Sequence, residues 1–318
     1  MTAFYQIGNG FHRFLYNPTP KSKAFLLNHL PKGKKWRIIG FFIKHGKPGF
    51  IPFKRIELNE PGDLILYGFQ KKVFDFDNCK VYTSAFDEKG QKDLERSIKI
   101  KKLAGNSLFT SKILSWDGKI LVEELITTHP AKISDLETVF ASLVAFYKHN
   151  EIKTSTFAAE ANKIDEKLNN YVWKNGGIVE TIEKAMNMLK NRKEPCYLCL
   201  NHGDFHLRNI GIHYACGCPL AKYPYIFDLG SARLGGLLDD LTWLGLVDGL
   251  PKSQFYNLAG QIIREFGTNS IPDGIVSHET IDLYHTLALL KIIERELTLE
   301  NKVNKISMAA EKLKEIIK

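Results

Sequence analysis

One short stretch, Asn201-His202-Gly203-Asp204-Phe205-His206-Leu207-Arg208-Asn209-Ile210, gathers an acid, amides and two imidazoles next to an apolar run, Tyr197-Leu198-Cys199-Leu200. A second apolar run follows and ends in an acid, Tyr225-Ile226-Phe227-Asp228-Leu229-Gly230. The pattern reads as strand, tight loop, hairpin, then acid. Such a loop can aim the Asp204 carboxylate at a hydroxyl. It can also turn the Asn209 amide oxygen and the Asp228 carboxylate towards a hard cation. Mg²⁺ takes oxygen ligands and keeps room for substrate phosphates. Phosphoryl transfer needs those parts: a group that orients or deprotonates the attacking oxygen, and metal that neutralises phosphate charge. Histidine, glycine and aspartate also favour turns, so polar caps on a strand-loop-strand are the plainer reading of the same residues.

The stretch resembles the catalytic half of the aminoglycoside phosphotransferase and choline kinase family, relatives of protein kinases. That family's pattern is His-Gly-Asp-x-His-x-x-Asn-Ile, then a hydrophobic strand ending in Asp. Here it reads HGDFHLRNI, then YIFDLG. The resemblance implies Asp204 as catalytic base, Asn209 and Asp228 as Mg²⁺ ligands, and ATP as donor. It implies a small-molecule hydroxyl acceptor, aminoglycoside-, choline- or sugar-like. The implied fold is α+β and two-lobed, protein-kinase-like, with a mainly β N-lobe, a helical C-lobe and ATP between them. Asp239-Asp240-Leu241-Thr242-Trp243 resembles the family's Asp-Leu-Ala helix start. Either acid could cap that helix, and the likeness favours Asp240 holding the catalytic loop from behind. His202 is expected to brace the loop, and His206 to brace it or approach the metal.

These residues need elements to position them. Residues 1–60 are aromatic and basic, and Pro18, Pro20, Pro31, Pro48 and Pro52 break them into strands and turns that extend a sheet or shape a pocket. Residues 61–126 read as a small, mainly β, nucleotide-binding lobe, with strands near 63–67, 73–76 and 79–83. By the likeness, the turn carrying Gly68, Lys71 and Lys72 covers the ATP phosphates, where backbone N–H groups do the cradling. Backbone groups of Glu124, Leu125 and Ile126 would hold the adenine, with no role for the carboxylates. An ordinary hairpin and buried strand would look the same. A helix is expected over 92–103 and a hairpin turn at Asp117-Gly118. Residues 127–318 read as a helical lobe carrying the catalytic loop and acceptor site. Ser134 with Glu137 forms a capping-box pattern ahead of the apolar stripe Leu136, Val139, Phe140, Leu143 and Tyr147.

One departure from the family stands out. The usual strand lysine falls on Thr83, and the usual helix glutamate falls on Ser97. Losing both is coherent, because either alone would leave a buried charge unpaired. Three readings follow: Lys71, Lys72 or Lys80 supplies the phosphate-binding cation; Glu95 is the true helix partner; or the protein binds nucleotide without turnover.

The chain has 318 residues and a net charge of +9. A basic surface could meet nucleic acid, an anionic membrane or a phosphorylated substrate. The lysines are scattered, with modest clusters at 32–35 and 99–102, and read as a solvated face. No nucleic-acid module accompanies them, so no nucleic-acid partner is expected. Lipopolysaccharide core kinases have similar loops and anionic glycolipid substrates, which makes them the alternative class. No apolar run approaches the roughly 20 residues of a membrane span, and the N-terminus shows no secretion signal. A cytoplasmic protein is expected, with peripheral membrane contact left open. The cysteines are Cys79, Cys196, Cys199, Cys216 and Cys218. Zinc is disfavoured, because three residues along a strand put Cys196 and Cys199 on opposite faces.

Overall fold

The structure is a computed structural model that describes residues 2–8, 13–29, 34–45, 53–105, 108–150, 152–168, 176–214, 222–267, 276–298 and 303–317. The chain forms two compact units. Residues 1–102, 109–130 and 211–230 make the first; residues 103–108, 131–210 and 231–318 make the second.

Apolar alternation builds the first unit. Strands β1 (Thr2–Ile7), β2 (Arg13–Tyr16), β3 (Lys54–Leu58), β4 (Leu64–Tyr67), β5 (Gln70–Asp75), β6 (Lys80–Ala85), β7 (Ile113–Trp116) and β8 (Ile120–Glu124) form one antiparallel sheet. Its order is β3-β1-β2-β4-β5-β6-β8-β7. Successive side chains on a strand point to opposite faces. Tyr5, Ile7, Tyr16 and Leu64 therefore share a cluster with Leu26 and Ile43, while Phe4, Leu15, Ile65 and Val73 form another. Residues 1–60 do extend the sheet, through β1, β2 and β3. They also hold two helices where strands and turns were expected, α1 (Pro20–His29) and α2 (Lys34–His45). Pro20 is not a breaker here. It occupies the first helical position, where a missing N–H costs nothing, and the Thr19 hydroxyl accepts from the Ser22 amide at 3.2 Å.

Helix α3 (Glu88–Ala104) begins at Glu88 rather than Lys92, because the Asp87 carboxylate accepts from the Gly90 amide at 2.7 Å. The Asp117-Gly118 turn forms as expected: Asp117 Oδ1 accepts from the amides of Lys119 and Ile120, and Gly118 has φ +90°. A small sheet, β13-β12-β9, joins β9 (His129–Pro130), β12 (Ile210–Tyr214) and β13 (Lys222–Ile226).

The second unit is mainly helical: α4 (Leu136–His149), α5 (Phe157–Leu168), α6 (Gly176–Lys190), α7 (Asp239–Asp248), α8 (Lys252–Gly267), α9 (His278–Thr298) and α10 (Val303–Ile316). Strands β10 (Lys153–Thr156), β11 (Pro195–Asn201) and β14 (Arg233–Gly236) pair in the order β10-β11-β14. The expected stripe on α4 is buried, but its cap is not the expected one. Ser134 lies inside a 3₁₀ turn, and Asp135 both precedes the helix and accepts from the Lys132 amide at 2.9 Å. Helix α9 buries Leu287, Ala288, Leu289, Leu290, Ile292 and Ile293; apolar on most sides, it reads as a central helix. Among the described residues, no helix is long and apolar enough to cross a membrane.

Candidate active site

The loop after β11 is held by buried groups of the second unit. Gly203 has φ +83°, and a Cβ there would lie 2.2 Å from the Ser231 carbonyl oxygen. Only glycine fits that turn. The Asp240 carboxylate sits behind it. Its Oδ2 accepts from the His202 amide (2.8 Å) and the Tyr147 hydroxyl (2.7 Å), and its Oδ1 accepts from the Gly203 amide (2.9 Å). Asp240 thus holds the loop, as the likeness implied. Neither acid caps α7, however. Leu238 is the N-cap residue, and Asp239 and Asp240 lie in the first turn.

Asp204 projects from this brace with a half-exposed carboxylate. Oδ1 accepts from the Trp243 indole at 2.9 Å, and Oδ2 lies 3.6 Å from His206 Nε2. His202 accepts from the Asp204 amide at 3.3 Å. Burial alone would raise the Asp204 pKa. The facing His206, with His202 and Lys305, outweighs burial and holds it at about 2. A carboxylate that weakly basic orients a hydroxyl better than it takes its proton. Asn209 ends the turn Leu207–Asn209 and donates Nδ2 to the Asp204 carbonyl at 2.9 Å. That bond fixes the amide orientation and leaves Oδ1 as an oxygen donor.

In the first unit, Asp228 is exposed and holds φ +60°, an uncommon conformation for a residue with a Cβ. Its carboxylate makes no hydrogen bond among the described residues. The turn beyond it is pinned to α3, where Arg96 donates to the Gly230 carbonyl at 2.8 Å. Gly68 lies in the β4–β5 turn, with open space where a Cβ would be. Lys71 is ion-paired to Glu60. Lys72 faces Thr83 across the β5–β6 ladder, so the two side chains share one face of the sheet. Lys72 makes no ion pair among the described residues. The amides of Glu124 and Leu125 are taken by the carbonyls of Lys112 and Cys79; the Ile126 amide makes no backbone hydrogen bond among the described residues.

Thr83 is buried, and its hydroxyl has no partner among the described residues. Glu95 is exposed and accepts from Gln91, so it is not a buried helix partner. An ion pair nevertheless exists nearby, which the sequence did not reveal. Lys101 of α3 pairs with Glu123 of β8, and Ser111 bridges them, accepting from Lys101 (2.7 Å) and donating to Glu123 (2.8 Å). The lysine cluster at 99–102 reads in the sequence as a solvated face, yet the Lys101 side chain is 6% exposed. The Glu123 carboxylate, to which the sequence gives no role, is its partner. Burial pulls the Lys101 pKa down, against Glu123; Lys72 lowers it further and Asp228 raises it.

Cys196 and Cys199 are buried free thiols, and burial pushes Cys196 up to about 12. Cys216 and Cys218 lie outside the described residues. No group of three or more His, Cys, Asp or Glu side chains among the described residues could hold a metal ion.

The mainly β unit and the largely helical unit have the fold of the kinase-like aminoglycoside phosphotransferases. A GDP complex of aminoglycoside 2'-phosphotransferase-IIIa matches with a TM-score of 0.53 at 12% identity, covering 90% of this chain and 99% of that one. Macrolide 2'-phosphotransferase type I matches with 0.53 at 12% identity, covering 89% and 98%. The GDP and kanamycin complex of APH(2")-IIia matches with 0.52 at 12% identity, covering 82% and 92%. No family model matches the sequence. One curated protein, tRNA pseudouridine synthase Pus10 of Methanococcus voltae, is 31% identical over 100 residues, or 31% of this chain. The chain matches only 19% of that protein's length.

Proposed function

We propose that this protein is a phosphotransferase that moves the γ-phosphoryl group of ATP to a hydroxyl of a small molecule. The observation that carries the reading is the loop at 201–209. Buried side chains tie down its backbone, while the Asp204 carboxylate and the Asn209 oxygen stay available. Asp204 accepts a hydrogen bond from the acceptor hydroxyl, which turns that oxygen's lone pair towards the γ-phosphorus. As the new O–P bond forms, the bond from γ-phosphorus to the bridging oxygen breaks, ADP leaves on that oxygen, and the hydroxyl proton passes by way of the Asp204 carboxylate to solvent. Asn209 and Asp228 offer amide and carboxylate oxygens, the donor types Mg²⁺ prefers, and would be its ligands. When bound, Mg²⁺ neutralises charge on the phosphates. The Gly68 turn, the carbonyls of Glu124 and Leu125 and the amide of Ile126 are assigned to the nucleotide; the amides of Glu124 and Leu125 are already bonded within the fold. Lys72, rather than the ion-paired Lys71, is assigned to its phosphates. The acceptor class implied by the resemblance is aminoglycoside-, choline- or sugar-like.

Two of the structural neighbours are GDP complexes, so GTP is the second donor to compare. The test is transfer of labelled γ-phosphate from ATP or GTP into a metabolite extract. Asp204→Asn keeps an oxygen for the Trp243 indole and should lower kcat by about 10²–10⁴-fold. Equal transfer by wild type and variant would overturn the assignment. Mg-nucleotide binding with no labelled product would instead identify a non-catalytic nucleotide binder, the reading that Thr83 and Ser97 motivate.

A further inference from the structure

The second unit surrounds Asp204 with positive charge. Arg233 Nη1 and Arg295 Nη1 both donate to the carbonyl of Gly203, the residue before Asp204, at 3.2 and 2.6 Å. The Trp243 ring, whose indole holds Asp204, lies between two cations. The Arg295 guanidinium and the Lys305 ammonium are each 3.8 Å from its centroid.

The nearby acids do not offset this at the surface. Glu296 is 4% exposed and clamps Arg295 through two donors. Asp239 is buried, between Lys291 and Arg233 in charge, and burial pushes its carboxyl towards the protonated form. Asp240 is used up on the loop. Asp248 is half-buried and accepts from the Leu207 amide with one oxygen. Glu160 holds Lys163 and Lys291. Among the described residues beside the loop, the Asp204 carboxylate is half-exposed and holds no Lys or Arg of its own unit in a salt bridge, and its task is the acceptor hydroxyl. A cationic acceptor would meet Arg233 and Lys305, both half-buried, and find little to pair with. An anionic one would find a guanidinium whose remaining N–H donors can grip phosphate or carboxylate side-on.

We propose that the acceptor is a hydroxyl compound that itself carries a negative charge, a phosphorylated or carboxylated sugar or polyol, and that Arg233 is the residue selecting for that charge. The proposal rests on the phosphotransferase reading only for the transfer step. The charge preference is a property of binding.

The test uses four probes of one ring system: glucose, glucosamine, glucose 6-phosphate and glucuronate. Each is titrated calorimetrically into the full chain saturated with Mg-ADP, then offered with ATP as acceptor. A unit charge about 6 Å from a guanidinium is worth roughly threefold in affinity when fully water-screened and roughly 100-fold near a protein surface, so about tenfold lies between these limits. The anions should therefore bind at least tenfold tighter than glucose, and glucosamine more weakly than glucose. Arg233→Gln should shrink the anion-to-glucose ratio five- to tenfold, and Arg233→Lys should restore part of it. Loss of the Gly203 contact alone would weaken all four probes equally and leave the ratio intact. Equal affinities, tighter glucosamine binding, no detectable binding of either anion, or an unchanged ratio in Arg233→Gln each overturn the proposal. Tight anion binding without phosphate transfer to these probes or into a metabolite extract would uphold the charge assignment and remove the phosphotransferase reading instead.

Discussion

Asp239 and Asp240 are adjacent buried acids, yet their replacement by asparagine should have different consequences. Asp240 receives three hydrogen bonds on two oxygens. An asparagine can present only one oxygen. Its better orientation keeps that oxygen towards the His202 amide and the Tyr147 hydroxyl, and so turns an NH₂ group onto the Gly203 amide. One charge-assisted bond is lost, worth about 1.5–3 kcal/mol, and the two survivors become neutral. The sum is about 3 kcal/mol at pH 7. At about 2–4 °C per kcal/mol for a unit of this size, Tm should fall by roughly 6–12 °C. Asp239 differs. Burial raises its pKa, and one oxygen has no partner among the described residues. A raised native pKa means the folded state binds the proton more readily than the unfolded chain. The carboxylate's contribution therefore declines as pH rises above the unfolded value, about 4. At pH 7, Asp239→Asn removes that penalty and should change stability by less than about 1 kcal/mol, or raise it. Scanning calorimetry of the two variants at pH 7 decides the matter. Equal Tm shifts, or a larger fall for Asp239→Asn, would refute the account of what each carboxylate does. Tyr147→Phe should cost about 1–2 kcal/mol. Combined with Asp240→Asn it should be less than additive, since both act on one oxygen.

Three further outcomes are expected. Lys101→Met leaves Glu123 buried and unpaired, and should cost about 3–5 kcal/mol in urea unfolding; Lys101→Met with Glu123→Met should recover most of it. Gly203→Ala drives a Cβ into the Ser231 carbonyl at positive φ, and should abolish transfer and lower Tm by more than Asp240→Asn does, as read by activity and calorimetry. Because Asp204 is held at about 2, pH profiles of kcat should show no limb from it between about pH 5 and 9. Its depressed pKa adds stability that is present above the unfolded value near 4 and is lost as pH falls through about 2, measurable as acid unfolding that Asp204→Asn lessens.

What the sequence made legible was local. Gly203, Asp204 and Asn209 sit within one loop, where residue type and spacing already limit the chemistry. Asp240 was legible only through the family resemblance, since position at a helix start left it equal to Asp239, and the cap went to Leu238. The β4–β5 turn and the α4 stripe follow from alternation and helical period. The misses are contacts between distant segments. Trp243 sits in a buried helix and reads as core, and nothing in its neighbours announces that its indole reaches Asp204. Arg295 lies on α9, among residues that read as packing. Proline as a breaker fails at Pro20, where its place at the first position of α1 makes it a starter.

The resemblance puts two uncharged residues where a lysine–glutamate pair is usual: Thr83 is a buried hydroxyl with no partner among the described residues, and Ser97 carries no charge. A different salt bridge joins α3 to the sheet, with lysine on the helix at 101 and glutamate on β8 at 123. A buried ammonium needs a carboxylate whichever element supplies it, and Ser111 satisfies what remains of both. Lys101 is therefore committed to Glu123, and Lys71 to Glu60. Lys72, across the ladder from Thr83, is half-buried with no carboxylate partner among the described residues and adds to the positive charge felt by Lys101. An anion beside it would offset that repulsion. This supports the proposed contact of Lys72 with a phosphate. Lys72→Met should therefore weaken Mg-nucleotide binding about tenfold while leaving Tm unchanged or higher. Unaltered nucleotide affinity would show that the repulsion is relieved by solvent alone.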